Sequence, residues 1–132
     1  MLEMMLDTNT CIHVIRDRRK ELGPIFQSKI HKLCISTIVE HELRHGAEKS
    51  DRPAYQHERV DHFVTRLQVV DFNQSAARCA ASIKFDLQRR GQIIGPNDLL
   101  IAGHALSLSL KLITGNLKEF TRVEGLRYED WL

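Results

Sequence analysis

The sequence predicts an α/β domain of three layers, α/β/α, with helices on both faces of a short, mainly parallel sheet. Three observations carry that expectation. Short apolar runs alternate along the chain with longer segments of helical periodicity. The early runs stop at turn and N-cap residues, Asp7-Thr8-Asn9 after the first and Ser36-Thr37 after the second. Helices placed between strands imply right-handed crossovers, and these build a parallel sheet covered on both sides.

Met4-Met5-Leu6 reads as the first buried strand, and a helix opens at Asp7-Thr8-Asn9 and runs through Ile12 and Ile15. A second helix is expected around Glu21–Ile30, with Pro24 near its first turn. Lys32-Leu33-Cys34-Ile35-Ser36 reads as another strand. Ser36 or Thr37 then caps a helix that continues to Lys49, with Ile38, Glu42 and Ala47 at helical spacings. Ser50–Ala54 is the one stretch where local disorder is expected. Tyr55–Leu67 is amphipathic, because Val60, Phe63, Val64 and Leu67 share a face. Val69-Val70-Asp71-Phe72 reads as a third strand, and Ala76–Arg90 as a helix that stops at Gly91. Gly95-Pro96-Asn97-Asp98 opens an apolar helix from Leu99 to Leu110. Lys111-Leu112-Ile113-Thr114 is the fourth strand, and a last extended segment is expected near Leu126–Tyr128. In such sheets the functional crevice lies beyond the carboxyl ends of strands, where the strand order switches. Asp7 directly follows the first strand, and the residues after Thr114 follow the fourth. Those two strands are therefore expected to flank the crevice.

The chain of 132 residues is expected to form one domain, 1–132. A chain near this length buries roughly two-thirds of its unfolded surface, enough for a core. Its 19 Lys and Arg against 17 Asp and Glu do not demand a nucleic-acid partner, but permit one if the charges segregate. The run Arg16-Asp17-Arg18-Arg19-Lys20 and the pair Arg89-Arg90 read as solvated helix ends. The three cysteines, Cys11, Cys34 and Cys79, form an odd set with no close pair, which points to reduced thiols and a cytoplasmic protein. No apolar run reaches transmembrane length, and MLEMMLDTN lacks the basic region of a signal peptide, so no membrane partner is expected.

Three acids stand out. Asp7 can cap the first helix, a common duty for aspartate. Asp98 can face the dipole of its helix, yet that helix looks buried nearly all round, so the carboxylate needs a cation or hydrogen-bonded partner. Glu42, read alone, is a solvated helix acid. Read together, the three can converge on one crevice. Oxygen-only ligands suit a hard ion such as Mg²⁺ or Mn²⁺, which activates water in phosphodiester hydrolysis.

Glu42 also sits inside His41-Glu42-Leu43-Arg44-His45, which spells the zinc-protease signature H-E-x-x-H. With seven histidines in the chain, so short a match is weak. His57 and His62 are available, but there is no H-x-x-G-x-x-H extension to bring a third ligand. His41 and His45 are read as surface or partner contacts. His104, alone on an apolar helix, is read as a satisfied core or interface residue.

"MLDTNTCI", "ISTIVEHELRHGAEKS", "GPNDLLIAGHAL" and "LITGNLKEF", in that order and spacing, resemble the PIN-domain ribonucleases, and more narrowly the VapC toxins of bacterial toxin–antitoxin pairs. The ending "VEGLRYEDWL" also fits, so the resemblance covers nearly the whole chain. It implies a PIN-like fold and a Mg²⁺-dependent endoribonuclease, with Mn²⁺ able to substitute. Asp7, Glu42 and Asp98 fall on the family's acids and metal ligands. Thr8, Asn9 and Thr114 match the polar residues that orient them. Where the family often carries a further acid after the fourth strand, this chain has Asn116, and Glu119 lies three residues on. Which of the two fills that catalytic position, and whether a second metal binds, stays open. The resemblance further implies structured RNA, tRNA among it, as substrate, a small cognate antitoxin that blocks the crevice, and a homodimer. Tyr55–Leu67 offers an apolar face for such a dimer. Two other readings remain: the zinc protease, and a catalytically weak PIN-like module that binds RNA or protein.

Overall fold

Met4–Leu6 forms strand β1 at the centre of the sheet, with all three side chains buried. The computed structural model describes residues 1–17 and 20–132. Arg18 and Arg19 of the basic run therefore lie outside the described residues. The order along the chain is β1, α1 (Thr8–Arg16), α2 (Leu22–Lys29), a 3₁₀ turn (Ile30–Lys32), β2 (Leu33–Ser36), α3 (Thr37–Glu48), α4 (Pro53–Val64) and β3 (Gln68–Val70). It continues with α5 (Gln74–Arg89), α6 (Pro96–Ser107), β4 (Lys111–Ile113), α7 (Leu117–Phe120) and β5 (Tyr128–Glu129).

The five strands lie in the order β3-β2-β1-β4-β5, and every pairing is parallel. The order reverses at β1, whose neighbours β2 and β4 are far apart in sequence. All of β1 and β2, with Leu112 and Ile113 of β4, is buried. That is why these strands read as unbroken apolar runs rather than alternating ones. Among the helices, α3 packs on α4, α1 touches both, and α5 lies along α6. The last contact is close enough to exclude a side chain: a Cβ on Gly103 would sit 2.7 Å from the backbone of Ala80.

Local chemistry explains the helix starts. Asp7, Ser36 and Asn73 each cap a helix by accepting a backbone N–H, from Thr10, Ile38 and Ala76 respectively. Pro53 and Pro96 open α4 and α6, where a missing N–H costs nothing. Gly91 ends α5 in the left-handed region, at φ +67°.

The structure corrects several boundaries. Residues 50–52 bend directly into a helix, with no disordered stretch: Ser50 Oγ donates to Ala47 O at 2.8 Å, and Arg52 O accepts from Gln56 N at 3.0 Å. Helix α4 thus begins at Pro53 and ends at Val64, leaving Leu67 in the following turn, packed on the core. Strand β3 stops at Val70, because the Phe72 amide donates to Thr37 Oγ1 at 3.1 Å instead. Helix α7, only four residues long, is too short to show a period. The three cysteines are free, with Cys11 and Cys34 buried. Arg89 and Arg90 pair with Asp86 at the end of α5, as a solvated helix terminus does. No described helix is long and apolar enough to cross a membrane.

Candidate active site

Strands β1 and β4 run side by side in register, Leu6 beside Ile113, so Asp7 and Thr114 leave the sheet together. The Asp7 amide continues the ladder, donating to Ile113 O at 3.1 Å. The Asp7 carboxylate, 3% exposed, is held at both oxygens. Thr10 N donates to Oδ1 at 2.9 Å, and Thr114 Oγ1 donates to Oδ2 at 2.6 Å. Asp7 is therefore a helix cap and a crevice carboxylate at once. The backbone places it, and its two donors fix its rotamer.

Glu42, half-buried on α3, receives a hydrogen bond from the Thr8 hydroxyl at Oε1 and one from Asn97 Nδ2 at Oε2, 3.2 Å. Asp98 lies in the first turn of α6. Burial, a hydrogen bond with Glu119, and the charges of Glu119, Glu42 and Asp7 together push its pKa up to about 7. Glu119 moves the other way. Its bond from Asp98, then the Gly95 N–H and the Asn116 amide, holds it below the usual carboxylate range. Opposite shifts on adjacent acids describe a shared proton, carried by Asp98 and accepted by Glu119. Asn116 Nδ2 bridges the same pair, at 3.3 Å from Asp98 Oδ2 and 2.7 Å from Glu119 Oε2. Gly95 N reaches Glu119 Oε1 at 2.8 Å.

The structure thus gathers Asp7, Thr8, Glu42, Asp98, Thr114, Asn116 and Glu119 beyond the ends of β1 and β4. Glu119 brings the fourth carboxylate, and Asn116 ties it to Asp98. Asn9 is not part of the group: its side chain is exposed on α1 and makes no hydrogen bond to an acid among the described residues. Thr10, the next residue, does that work through its backbone amide, and its hydroxyl donates to Ile113 O at 3.2 Å. Asn97 and the Gly95 amide were not expected. Their only signal was a place beside Asp98 at a helix start, where free N–H groups and polar side chains collect.

The four acids offer oxygen donors alone, the chemistry that fits a hard divalent ion. As they stand, no three His, Cys, Asp or Glu side chains among the described residues converge closely enough to enclose an ion. That spacing is compatible with Mg²⁺, which is usually held by one or two carboxylates and keeps several waters. Beside Glu42 a cleft of about 180 Å³ opens between α1, α3 and α4, with Arg16, Gln56 and Arg59 on its walls. A larger cleft of about 370 Å³ between α1 and α4 holds none of the acids.

The H-E-x-x-H segment separates by face. His41 and His45 are exposed, whereas Glu42 turns toward Asn97 and Thr8. Arg44, between the histidines, fastens α3 to α4 through Asp61 at 2.8 Å and the His57 carbonyl at 3.2 Å.

Residues 4–126 match the family model for the PIN domain. Over 131 residues the chain is 44% identical to the "tRNA(fMet)-specific endonuclease VapC" of Salmonella typhimurium, covering 99% of each. It is 42% identical to "Ribonuclease VapC2" of Haemophilus influenzae over the full length of both. The crystal structure of DNA-bound VapBC from Salmonella typhimurium contains a chain that superposes with a TM-score of 0.96 at 43% identity, covering all of each chain. By fold, by motif order and by identity along its whole length, this chain belongs to the PIN-domain family, within its VapC ribonuclease branch.

Proposed function

We propose that the chain is a Mg²⁺-dependent endoribonuclease, with Mn²⁺ able to substitute, and that it acts as the toxin of a toxin–antitoxin pair on structured RNA. The observation that carries this reading is the carboxylate cluster. Four acids from four separate segments meet where β1 and β4 end, and burial together with the other three acids raises the Asp98 pKa to about 7. Stability alone gives no reason to collect such charge. A cation and a phosphate do.

Asp7, Glu42 and Asp98, one or two at a time, would hold the ion, with water at its other positions, and Mg²⁺ there would supply a water acidic enough to attack and would neutralise charge at the leaving oxygen. Asp7 cannot swing away, because Thr10 and Thr114 grip both its oxygens. Thr8 and Asn97 hold Glu42 in the same way. The Asp98–Glu119 pair sets a further carboxylate, Glu119, beside a proposed ligand, and Glu119 is placed to take a proton from water. Asn116 keeps the two carboxyls of that pair together.

tRNA is the first substrate to test, since the Salmonella relative is named for tRNA(fMet). A small antitoxin covering the crevice is supported by the VapBC complex among the structural relatives. A homodimer and a cytoplasmic location complete the proposal; three free thiols suit a reducing compartment. Purified, antitoxin-free protein should cut total RNA at a few mapped positions when Mg²⁺ is present, and not in EDTA. RNA left intact in Mg²⁺, or cut equally in EDTA, would sink the reading.

A further inference from the structure

His104 is a titratable side chain buried outside the crevice, and its burial leaves one ring nitrogen without a partner among the described residues. It is 0% exposed, on α6. Its Nδ1 lies 2.8 Å from Ser36 Oγ, and its Nε2 has no hydrogen-bond partner among the described residues. A phenylalanine or leucine would fill the same space without an orphaned polar atom, so stability does not account for imidazole here. What imidazole adds is one directional bond.

That bond goes to a consequential place. Ser36 ends β2, is itself fully buried, and caps α3 by accepting from Ile38 N at 3.0 Å. Helix α3 carries Glu42 six residues on, about 9 Å along the axis at 1.5 Å per residue. Helix α6 carries Asn97 and Asp98 and is pressed on α5 through Gly103, the residue before His104. The imidazole also meets the Phe72 ring edge-on, centroids 5.4 Å apart. The Phe72 amide in turn bonds Thr37, the first residue of α3. The two helices are therefore joined twice: at the crevice by Asn97 and Glu42, and beneath it by His104 and Ser36. The lower bond adds to the packing of α3 on α1 and α4 in setting where the helix starts relative to α6. Burial lowers the His104 pKa against the opposing charge of Asp71, which keeps the ring neutral.

We propose that His104 is a positioning residue: its bond to the Ser36 cap seats the start of α3 and so holds the Glu42 carboxylate in register with Asp98. The proposal rests on the ribonuclease reading of the acid cluster, but one arm of its test does not. His104→Phe keeps the ring and removes the bond. His104→Asn puts an amide where Nδ1 was, and His104→Gln puts it where Nε2 was. Each folded variant is assayed for RNA cleavage in Mg²⁺, with kcat and KM separated, and for the ¹³C resonance of the Glu42 carboxyl without metal.

His104→Phe and His104→Gln should lose up to about 10²-fold in kcat with little change in KM, the size of effect a displaced catalytic group produces. Both should also move the Glu42 resonance, and His104→Asn should restore both readouts. A folded His104→Phe or His104→Gln protein with an unmoved Glu42 resonance overturns the proposal, as does a His104→Asn protein no better than His104→Gln. If His104→Phe does not fold, the Asn and Gln pair decides. Wild-type protein that cuts no RNA defeats the functional reading, and the Glu42 resonance still tests the positioning.

Discussion

Asp98→Asn should make the metal-free protein more stable above neutral pH while abolishing RNA cleavage. The half-buried carboxyl lies among Glu119, Glu42 and Asp7, which with burial raise its pKa from 3.8 to about 7. That difference corresponds to roughly 4 kcal/mol, at 1.36 kcal/mol per pKa unit. The group keeps some contact with water and shares its proton with Glu119, whose pKa falls. About half, ~2 kcal/mol, is therefore the expected net cost of ionising it in the fold.

The sign follows from where the proton sits. A raised acid pKa means the folded chain keeps the proton after the unfolded chain has released it. Below about pH 4 both states are protonated and the wild type carries no penalty. Between about pH 4 and 7 the penalty grows, and above that it is constant. Asparagine has no charge at any of these values; its carbonyl still accepts from Asn116, and its amide can donate to Glu119 as the protonated acid does. Urea unfolding in EDTA should show Asp98→Asn ahead by ~2 kcal/mol at about pH 8, the gap closing toward pH 4. Equal stabilities at about pH 8, or a gap that does not vary with pH, would show that the acids do not crowd Asp98.

Asp7→Asn should abolish cleavage and cost about 1 kcal/mol, since the Thr114 hydroxyl loses its acceptor while the cap to Thr10 survives; a variant that cuts at the wild-type rate removes Asp7 from the site. Replacing His41 and His45 together by Gln should leave most of the ribonuclease activity, and metal analysis should find no stoichiometric zinc in the wild type. Zinc lost from that double variant along with activity would revive the H-E-x-x-H reading. Asn116→Asp should tighten Mg²⁺ or Mn²⁺ binding, measured calorimetrically, because it turns a donor shared by two carboxylates into a further charge. An unchanged titration curve would place Asn116 outside the metal's surroundings.

Much of the architecture was legible because local and tertiary demands agree. An apolar triplet followed by Asp-Thr-Asn reads as strand then cap, and Met4–Asp7 is that. Boundaries failed where a tertiary contact decided them: Phe72 left its strand to bond Thr37, and Pro53 started α4 two residues before the amphipathic pattern. Asn9 shows the limit of reading a motif as a block. A helix turns about 100° per residue, so Thr8 faces Glu42 while its neighbour faces water. The same rotation turns His41 about 100° away from Glu42, and His45, one turn further on, is exposed. Asn97 could not be read in advance, since its bond to Glu42 exists only after α3 and α6 are side by side; His104 was legible as a core residue, but one of its nitrogens is unsatisfied and its bond to Ser36 could not be foreseen.

The hydrogen bond from Thr114 to Asp7 spans 107 positions of sequence. It exists only once β4 has been laid against β1, a late and slow event for a parallel pairing of such separation. Until then Asp7 lacks one of its two donors, and Asp98 and Glu119 have no fixed place beside it. During synthesis, when the chain emerges from its amino end, a ribosome therefore carries a polypeptide without this site until β4 has been made. A nuclease whose site is closed by its last central strand does not threaten the RNA around it while it is being translated. That leaves an inhibitor the whole interval of synthesis in which to be present first.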